Sequence, residues 1–259
     1  MPGSLRDALQ NGDLVLCLAL LHSRTPDVPA IAAAGGYDAV YIDLEHTATS
    51  LETTAMLCSA AIGAGISALV RVPSHDPSTI ARVLDNGAVG IIVPHINSKD
   101  EAESVVHAAR FPPAGHRSIS GPNPVSGYGA RSASELTAVI EARTVVAVMV
   151  ETPEAVEAVD AIAGVDGIDM ILLGPSDLTA EMGIHGDYEN DHFQNAVVSV
   201  ATACRAHGVA FGIAGIKRSE LLERFIRWGL RFISAGTDVG MLTEAATARA
   251  RELRGLYET

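Results

Sequence analysis

Residues 90–109 read GIIVPHINSKDEAESVVHAA and contain one complete strand–helix unit. The run Gly90–Pro94 is apolar throughout, which is typical of a strand buried on both faces of a parallel sheet. Ser98 followed by Glu101 has the spacing of a helix-capping box, and the helix-like segment Ala102–Ala109 comes directly after it. This stretch therefore predicts the repeating unit of an α/β fold.

The same unit recurs along the chain. Seven further apolar runs have the character of buried strands: Val15–Leu21, Ala39–Asp43, Ala68–Val72, Val145–Val150, Met170–Leu173, Val209–Ile213 and Phe232–Ala235. Helix signals stand between them, namely the starts Asp76-Pro77 and Thr152-Pro153, the stops Gly87 and Gly164, and the periodic segments Ser219–Trp228 and Val239–Leu256. Eight such units in 259 residues predict a single α/β domain over residues 1–259, a (β/α)8 TIM barrel. A doubly wound sheet is the alternative, although no GxGxxG follows the first strand.

Composition narrows the class of protein. There are 31 acidic and 18 basic side chains, a formal charge of −13, which disfavours a nucleic-acid surface and a polybasic membrane patch. No apolar run is long enough to span a membrane, and no signal peptide is expected. Cys17, Cys58 and Cys204 lie far apart, which predicts core residues rather than disulfides or a zinc site. We expect a cytoplasmic protein that acts on small molecules.

Charged residues follow most of the predicted strands, and the C-terminal ends of barrel strands meet at one rim. Glu151 and Asp177 follow neighbouring strands. Two carboxylates at close range repel unless a cation lies between them, and oxygen ligands suit Mg²⁺ or Mn²⁺. Two structural readings stay open: Asp177 could cap a short helix, and Glu151 could pair with an arginine.

Four other residues are candidates for the chemistry or for orienting it. Arg71 could pair with a substrate carboxylate or a developing enolate, or else with Asp43 or Glu45 in a structural ion pair. His46 lies beside those two acids and is a candidate general base, unless it is a surface histidine. His95 also follows a strand. Asp85 could orient a histidine across a protomer boundary, or be a solvated helix residue.

Only two residues of the chain are lysines, Lys99 and Lys217. Both follow strands, in cap or helix positions rather than within the strands. A Schiff-base aldolase needs a desolvated lysine inside the barrel, so the sequence disfavours that mechanism.

Six motifs, taken together, resemble the HpcH/HpaI aldolases, the metal-dependent class II pyruvate aldolases related to 2-oxo-3-deoxy acid aldolases. They occur in family order and at family spacing between about Val15 and Leu253: YIDLEH (41–46), LVRVP (69–73), LDNGAVGIIVPHINSKDEA (84–102), FPPAGHR (111–117), VMVET (148–152) and LLGPSDL (172–178).

The resemblance implies a role for each matching residue. Glu151 and Asp177 would be metal ligands, and Arg71 would stabilise the pyruvate enolate. His46 would be the general acid and base, tuned or oriented by Asp43 and Asp85. Backbone groups would bind the substrate carboxylate at three consecutive residues: Gly174, Pro175 and Ser176.

The resemblance also implies an activity and an assembly. We expect reversible cleavage of a 4-hydroxy-2-oxo acid to pyruvate, or a close 2-oxo acid, and an aldehyde through a metal-stabilised enolate. The metal would be Mg²⁺ or Mn²⁺, with Co²⁺ as a further option. The family implies a homohexamer, a trimer of dimers, in which the C-terminal helix is swapped between protomers.

Two departures from the family pattern bear on specificity. Ser118 stands where the family has glycine and opens the unusual stretch 118–124, and Met149 stands where some members carry glutamine. The stretch borders the active site in the family, so we expect it to affect aldehyde preference. Alternative functions are an acyl-CoA lyase or an oxaloacetate decarboxylase on the same scaffold, and a non-catalytic barrel that binds a 2-oxo acid.

Overall fold

The computed structural model describes residues 4–257, and its eight parallel strands form a closed barrel in chain order. The strands are β1 (Val15–Leu20), β2 (Ala39–Asp43), β3 (Ser67–Arg71), β4 (Gly90–Val93), β5 (Val145–Val150), β6 (Met170–Leu173), β7 (Ala210–Ala214) and β8 (Leu230–Thr237). β1 pairs with β8 and closes the barrel. The predicted TIM barrel is confirmed, and the doubly wound alternative is wrong, because that fold has an open sheet.

Twelve helices are described around the barrel: α1 (Leu5–Asn11), α2 (Asp27–Ala34), α3 (Leu51–Gly63), α4 (Pro77–Asp85), α5 (Lys99–Ala109), α6 (Ala133–Glu141), α7 (Pro153–Glu157), α8 (Val159–Ala163), α9 (Pro175–Glu181), α10 (Asp191–His207), α11 (Ser219–Trp228) and α12 (Asp238–Gly255). Asp76 and Thr152 cap α4 and α7 as predicted, each with a proline in the first turn.

The cap of α5 differs in one bond from the prediction. The Ser98 hydroxyl accepts a hydrogen bond from the Glu101 backbone N–H, as a capping box requires. The Glu101 carboxylate, however, accepts from the backbone N–H of Asn97 at 2.7 Å rather than from that of Ser98. The helix still begins where the sequence indicated, since both groups satisfy free N–H donors at its start.

Successive side chains of each strand face two different cores, one inside the barrel and one between the barrel and the helices. This alternation sets the direction of the side chains just beyond each strand. Val145, Ala147 and Met149 of β5 lie in the core inside the barrel, whereas the residues between them pack outward against the helices. Leu5 and Leu9 of α1 join the inner core, so this helix closes one end of the barrel. The three cysteines are free and buried, as predicted.

The loop after β1 is tied to the start of α12. The Asp238 carboxylate accepts hydrogen bonds from the backbone N–H groups of Leu21, His22 and Ser23 at 3.0, 3.0 and 2.6 Å. Burial by itself raises the pKa of Asp238, but these donors outweigh it and hold the pKa below its ordinary value.

The last helix, α12, has no buried residue along its described length. Leu242 lies on this helix and Leu256 directly follows it, and each of the two is 71% exposed. The expected swap of this helix between protomers stays a prediction. None of the helices in the part of the chain that the structure describes is long and apolar enough to cross a membrane.

Candidate active site

The two-residue period of the strands brings the predicted site residues to one rim. Tyr41 of β2, Leu69 of β3 and Met149 of β5 face the barrel interior. Two residues further along the chain are Asp43 and Arg71, which end β2 and β3, and Glu151, which directly follows β5. The register pairs Asp43 directly with Arg71, so strand pairing itself sets these two side chains together.

Arg71 is held by two carboxylates. Its Nε and Nη2 donate to the two oxygens of Asp43 at 2.9 and 2.6 Å, and its Nη1 lies 3.1 Å from Glu45 Oε2. Burial lowers the pKa of Arg71, but the hydrogen bonds to Asp43 and the charges of Tyr41, Asp43 and Glu45 together outweigh it and raise the pKa above its ordinary value. A guanidinium held by these hydrogen bonds and ion pairs has a fixed orientation and a permanent positive charge.

Asp43 also shapes the loop that follows it. It is fully buried, and its Oδ1 accepts hydrogen bonds from the backbone N–H groups of Glu45 and His46 at 3.0 and 3.4 Å. The same carboxylate therefore holds both Arg71 and the backbone that presents the candidate base. The position of His46 follows from this turn rather than from packing, since its side chain is 62% exposed.

Glu45 lies at the centre of a polar cluster that it forms with Arg71, His46 and His95. Its Oε1 is 3.2 Å from His95 Nε2, and its Oε2 is 3.4 Å from His46 Nε2 as well as close to Arg71. The sequence offered Glu45 as a structural partner for Arg71 and as an acid beside His46. The structure shows that it joins both rim histidines to the arginine.

His95 links this cluster to Glu151. Its backbone N–H donates to Glu151 Oε2 at 3.0 Å, and its ring Nδ1 lies 3.3 Å from the same oxygen. The backbone at His95 has φ of 56°, an uncommon conformation for a residue other than glycine, which turns both groups toward the carboxylate. The arginine partner left open for Glu151 by the sequence is thus replaced by a histidine.

Gly174 gives the Glu151 carboxylate its space. A Cβ on Gly174 would lie 2.5 Å from Glu151 Oε1 and 2.7 Å from its Cγ, so a side chain there would displace the carboxylate. Asp177 lies in the first turn of α9, whose N-cap residue is Gly174, and no side chain caps that helix. The alternative in which Asp177 serves as a helix cap is therefore not observed.

The electrostatics around Glu151 suit a cation. Burial raises the pKa of its carboxyl group, the hydrogen bond from His95 partly offsets this, and the charges of Asp177 and Glu45 raise it further. A divalent ion beside the carboxylates would stabilise their charged forms and so oppose this rise in pKa. Over residues 4–257, no group of three or more His, Cys, Asp or Glu side chains is arranged to hold a metal unaided. Two carboxylates with the remaining positions left to substrate and water are the pattern typical of Mg²⁺ and Mn²⁺ sites.

A cavity of about 160 Å³ opens at this rim. It is lined by both predicted metal ligands, by Arg71 and by the stretch Gly174–Ser176, and its other lining residues are Tyr41, Met149, Ala214–Lys217, Ser234, Gly236 and Thr237. Tyr41 lies under the Arg71 guanidinium, 5.7 Å from ring centroid to Cζ, and burial raises its pKa to about 12. Its hydroxyl is protonated at neutral pH and can donate a hydrogen bond into the cavity.

Asp85 is not brought to this cluster within one chain. It ends α4, which runs back from the rim, and its carboxylate pairs with Arg117 Nη2 at 2.7 Å. The loop that contains 118–124 packs at the same end, where Val125 accepts a hydrogen bond from Arg143, just before β5 begins. Within a single chain, then, the unusual loop does not border the cavity, and its predicted effect on specificity would require a second copy.

Comparisons with known proteins agree with the geometry. The HpcH/HpaI aldolase/citrate lyase family profile matches residues 18–245. A 4-hydroxy-4-methyl-2-oxoglutarate aldolase of Hapsidospora irregularis is 35% identical over 246 residues, which covers 93% of this chain and 91% of that protein. A 4-hydroxy-2-oxovalerate aldolase of Novosphingobium aromaticivorans is 38% identical over 239 residues, covering 91% and 88%. The crystal structure of an HpcH/HpaI aldolase from Desulfitobacterium hafniense has a TM-score of 0.91 at 28% identity and covers 99% of this chain and 98% of that one.

Proposed function

The chain belongs to the HpcH/HpaI aldolase/citrate lyase family, and from that premise we propose that it cleaves a 4-hydroxy-2-oxo acid reversibly to pyruvate, or a close 2-oxo acid, and an aldehyde. It is a carbon–carbon lyase, a class II pyruvate aldolase formed by residues 1–259 as one domain. The observation that carries the proposal is the arrangement of Arg71 and two carboxylates around one cavity, with His46 joined to Arg71 through Glu45.

Glu151 and Asp177 would hold a divalent ion, Mg²⁺ or Mn²⁺ with Co²⁺ as a further option. When bound, the ion supplies a Lewis acid that polarises the 2-oxo group of the substrate. His95 and Gly174 set the position of Glu151, the first through its N–H and ring and the second by leaving space. The backbone from Gly174 to Ser176 lines the cavity and would bind the substrate carboxylate.

His46 and Arg71 carry the chemical steps of the proposal. His46 takes the proton from the 4-hydroxyl group, and the C3–C4 bond breaks as the aldehyde carbonyl forms. The electron pair of that bond becomes the C2–C3 double bond of the pyruvate enolate, whose negative oxygen is stabilised by Arg71. A proton returned to C3 gives pyruvate. Asp43 and Glu45 keep the guanidinium oriented throughout, so no reorganisation is needed as charge develops.

The deciding experiment is pyruvate release from a panel of 4-hydroxy-2-oxo acids by the purified chain, with and without EDTA. We expect pyruvate and an equimolar aldehyde, loss of activity in EDTA, and recovery with Mg²⁺ or Mn²⁺. Full activity in EDTA together with a borohydride-trapped lysine adduct would instead establish the Schiff-base mechanism. Cleavage of acyl-CoA esters alone, decarboxylation of oxaloacetate alone, or binding of 2-oxo acids without turnover would each replace the proposal with one of the other functions considered.

We also propose a cytoplasmic homohexamer, a trimer of dimers with α12 swapped between protomers and Asp85 acting across a protomer boundary. The exposed leucines of α12 and its lack of buried residues support the swap, and the three free cysteines support a reducing compartment. Light scattering on a size-exclusion column measures the mass. A monomer in solution would contradict the assembly and the role of Asp85 together.

A further inference from the structure

Two cationic side chains line the cavity, and they differ in solvent exposure and in the number of carboxylates near them. Arg71 is 11% exposed, and all three of its nitrogen groups face Asp43 or Glu45. Lys217, on the loop after β7, is 70% exposed and has one carboxylate near its Nζ, that of Glu244 of α12, at 2.6 Å. Lys217 is one of only two lysines in the chain, and the proposed reaction does not use it.

The cavity has an acidic side and a basic side. Glu151 and Asp177 follow β5 and β6, while Lys217 follows β7 and lies over the first turn of α12. Its Nζ is 4.0 Å from the position that a Cβ on Gly240 would take, and Thr237, which caps α12, lines the same wall. A substrate that binds with its 2-oxo acid group on the acidic side, beside Arg71, would reach this wall with its other end.

Charge explains why a lysine matters at this place. The chain carries a formal charge of −13, and two of its carboxylates line the cavity, so a substrate with a second negative group would be repelled without a local cation. The existing partner of Lys217 is easily exchanged, because the ion pair with Glu244 is exposed on both sides and such pairs contribute little. A substrate carboxylate can therefore take the place of Glu244.

We infer that Lys217 is a specificity-determining residue that binds a second carboxylate, on the aldehyde-derived half of the substrate. The chain would thus prefer 4-hydroxy-2-oxo dicarboxylic acids over monocarboxylic acids of the same length. This inference rests on the proposed aldolase function and adds the substrate class to it.

The test compares 4-hydroxy-2-oxoglutarate with 4-hydroxy-2-oxovalerate, which has a methyl group in place of the second carboxylate. The measured quantity is the ratio of kcat/KM for the two substrates in the metal-loaded enzyme. We expect the wild type to favour the dicarboxylate and Lys217→Met to lower the ratio about tenfold or more, the effect of losing one hydrogen bond to a charged group. Added salt should lower the wild-type ratio more than that of the variant.

Two matched variants control the comparison. Lys99→Met removes the other lysine, which lies outside the cavity and pairs with Glu103 on α5, and it should leave both activities unchanged. Glu244→Gln breaks the same ion pair as Lys217→Met but keeps the lysine, so the ratio should stay at or above the wild-type value.

Failure of the inference about Lys217 and failure of the proposed aldolase function give different results. A ratio in Lys217→Met equal to that of the wild type would overturn the inference while pyruvate release still supports the aldolase. An equal fall of the ratio in Glu244→Gln would also overturn it, because the broken pair and not the lysine would be responsible. If the wild type releases no pyruvate from either probe, the proposed function fails and the inference fails with it.

Discussion

Replacing Gly174 by alanine is the most direct test of the geometry around Glu151, since it adds one methyl group and removes no functional group. The backbone at Gly174 has φ of −102° and ψ of 88°, so an alanine is not forbidden by a left-handed conformation. The new Cβ would, however, lie 2.5 Å from Glu151 Oε1 and 2.7 Å from its Cγ.

The expected effect follows from that overlap. Non-bonded heavy atoms pack best at about 3.5 Å, so the Glu151 carboxylate must retreat by about 1 Å. His95 holds the other oxygen of the carboxylate at 3.0 Å, which leaves little room for a rotation in place. A displacement of about 1 Å at a reacting centre can lower the rate about 10²-fold. We expect a loss of that order in kcat/KM and weaker binding of Mn²⁺.

The assay measures pyruvate release and, separately, Mn²⁺ binding by electron paramagnetic resonance. Gly63→Ala is the matched control, because Gly63 ends α3 with nothing within 4 Å of an added Cβ. It should leave both quantities unchanged. Thermal unfolding checks that Gly174→Ala still folds, with a cost of about 1–3 kcal/mol expected for an overpacked site. Wild-type turnover and Mn²⁺ affinity in Gly174→Ala would refute the assignment of Glu151 as a metal ligand placed by this contact.

Three further predictions concern the rim and the β1 loop. His46→Ala and Arg71→Ala should each lower kcat by at least about tenfold, a floor on the usual effects of a general base or a preorganised charge; near-wild-type turnover in either would remove its role. Asp43→Ala should lower the free energy of unfolding in urea by about 3 kcal/mol, at the low end for breaking a buried ion pair because Glu45 still faces Arg71; an unchanged midpoint would show that the pair does not stabilise the fold. The pKa of Asp238 is lowered in the folded state, so its stabilisation is complete above the ordinary carboxyl pKa of about 3.9 and is lost as the pH falls through the lower folded value. The difference in stability between wild type and Asp238→Asn should therefore shrink as the pH falls below about 4, and a difference independent of pH would contradict this account.

Local pattern was enough to predict the strands and the starts of five of the twelve described helices, namely α4, α5, α7, α11 and α12. Strand β5 was predicted with the bounds that the structure has, and α11 likewise, because an apolar run and a 3.6-residue period are properties of neighbouring residues. Helix α1 was not predicted, although Ser4 and Asp7 form a capping box there. Its apolar face is short, and the barrel end that buries Leu5 is distant in sequence.

The candidate site was predicted in part for the same reason. Strand ends can be read locally, so Arg71, Glu151 and Asp177 were proposed as site residues, and in the structure all three line one cavity. Whether Arg71 pairs internally or faces substrate was left open; the structure shows that it pairs with Asp43 and Glu45 and also lines the cavity. The bridging role of His95 was missed because it depends on a backbone with positive φ and on carboxylates from two other strands.

The sequence by itself determined the closed barrel and the rim at which the candidate site lies, since both follow from short apolar runs and the residues just beyond them. Only the tertiary structure decided which side chains meet. Strand register and the two-residue alternation of facing set Asp43 against Arg71, and the approach of β4 to β5 sets His95 against Glu151. Those distances join residues that are far apart in the chain, and local preference carries no information about them.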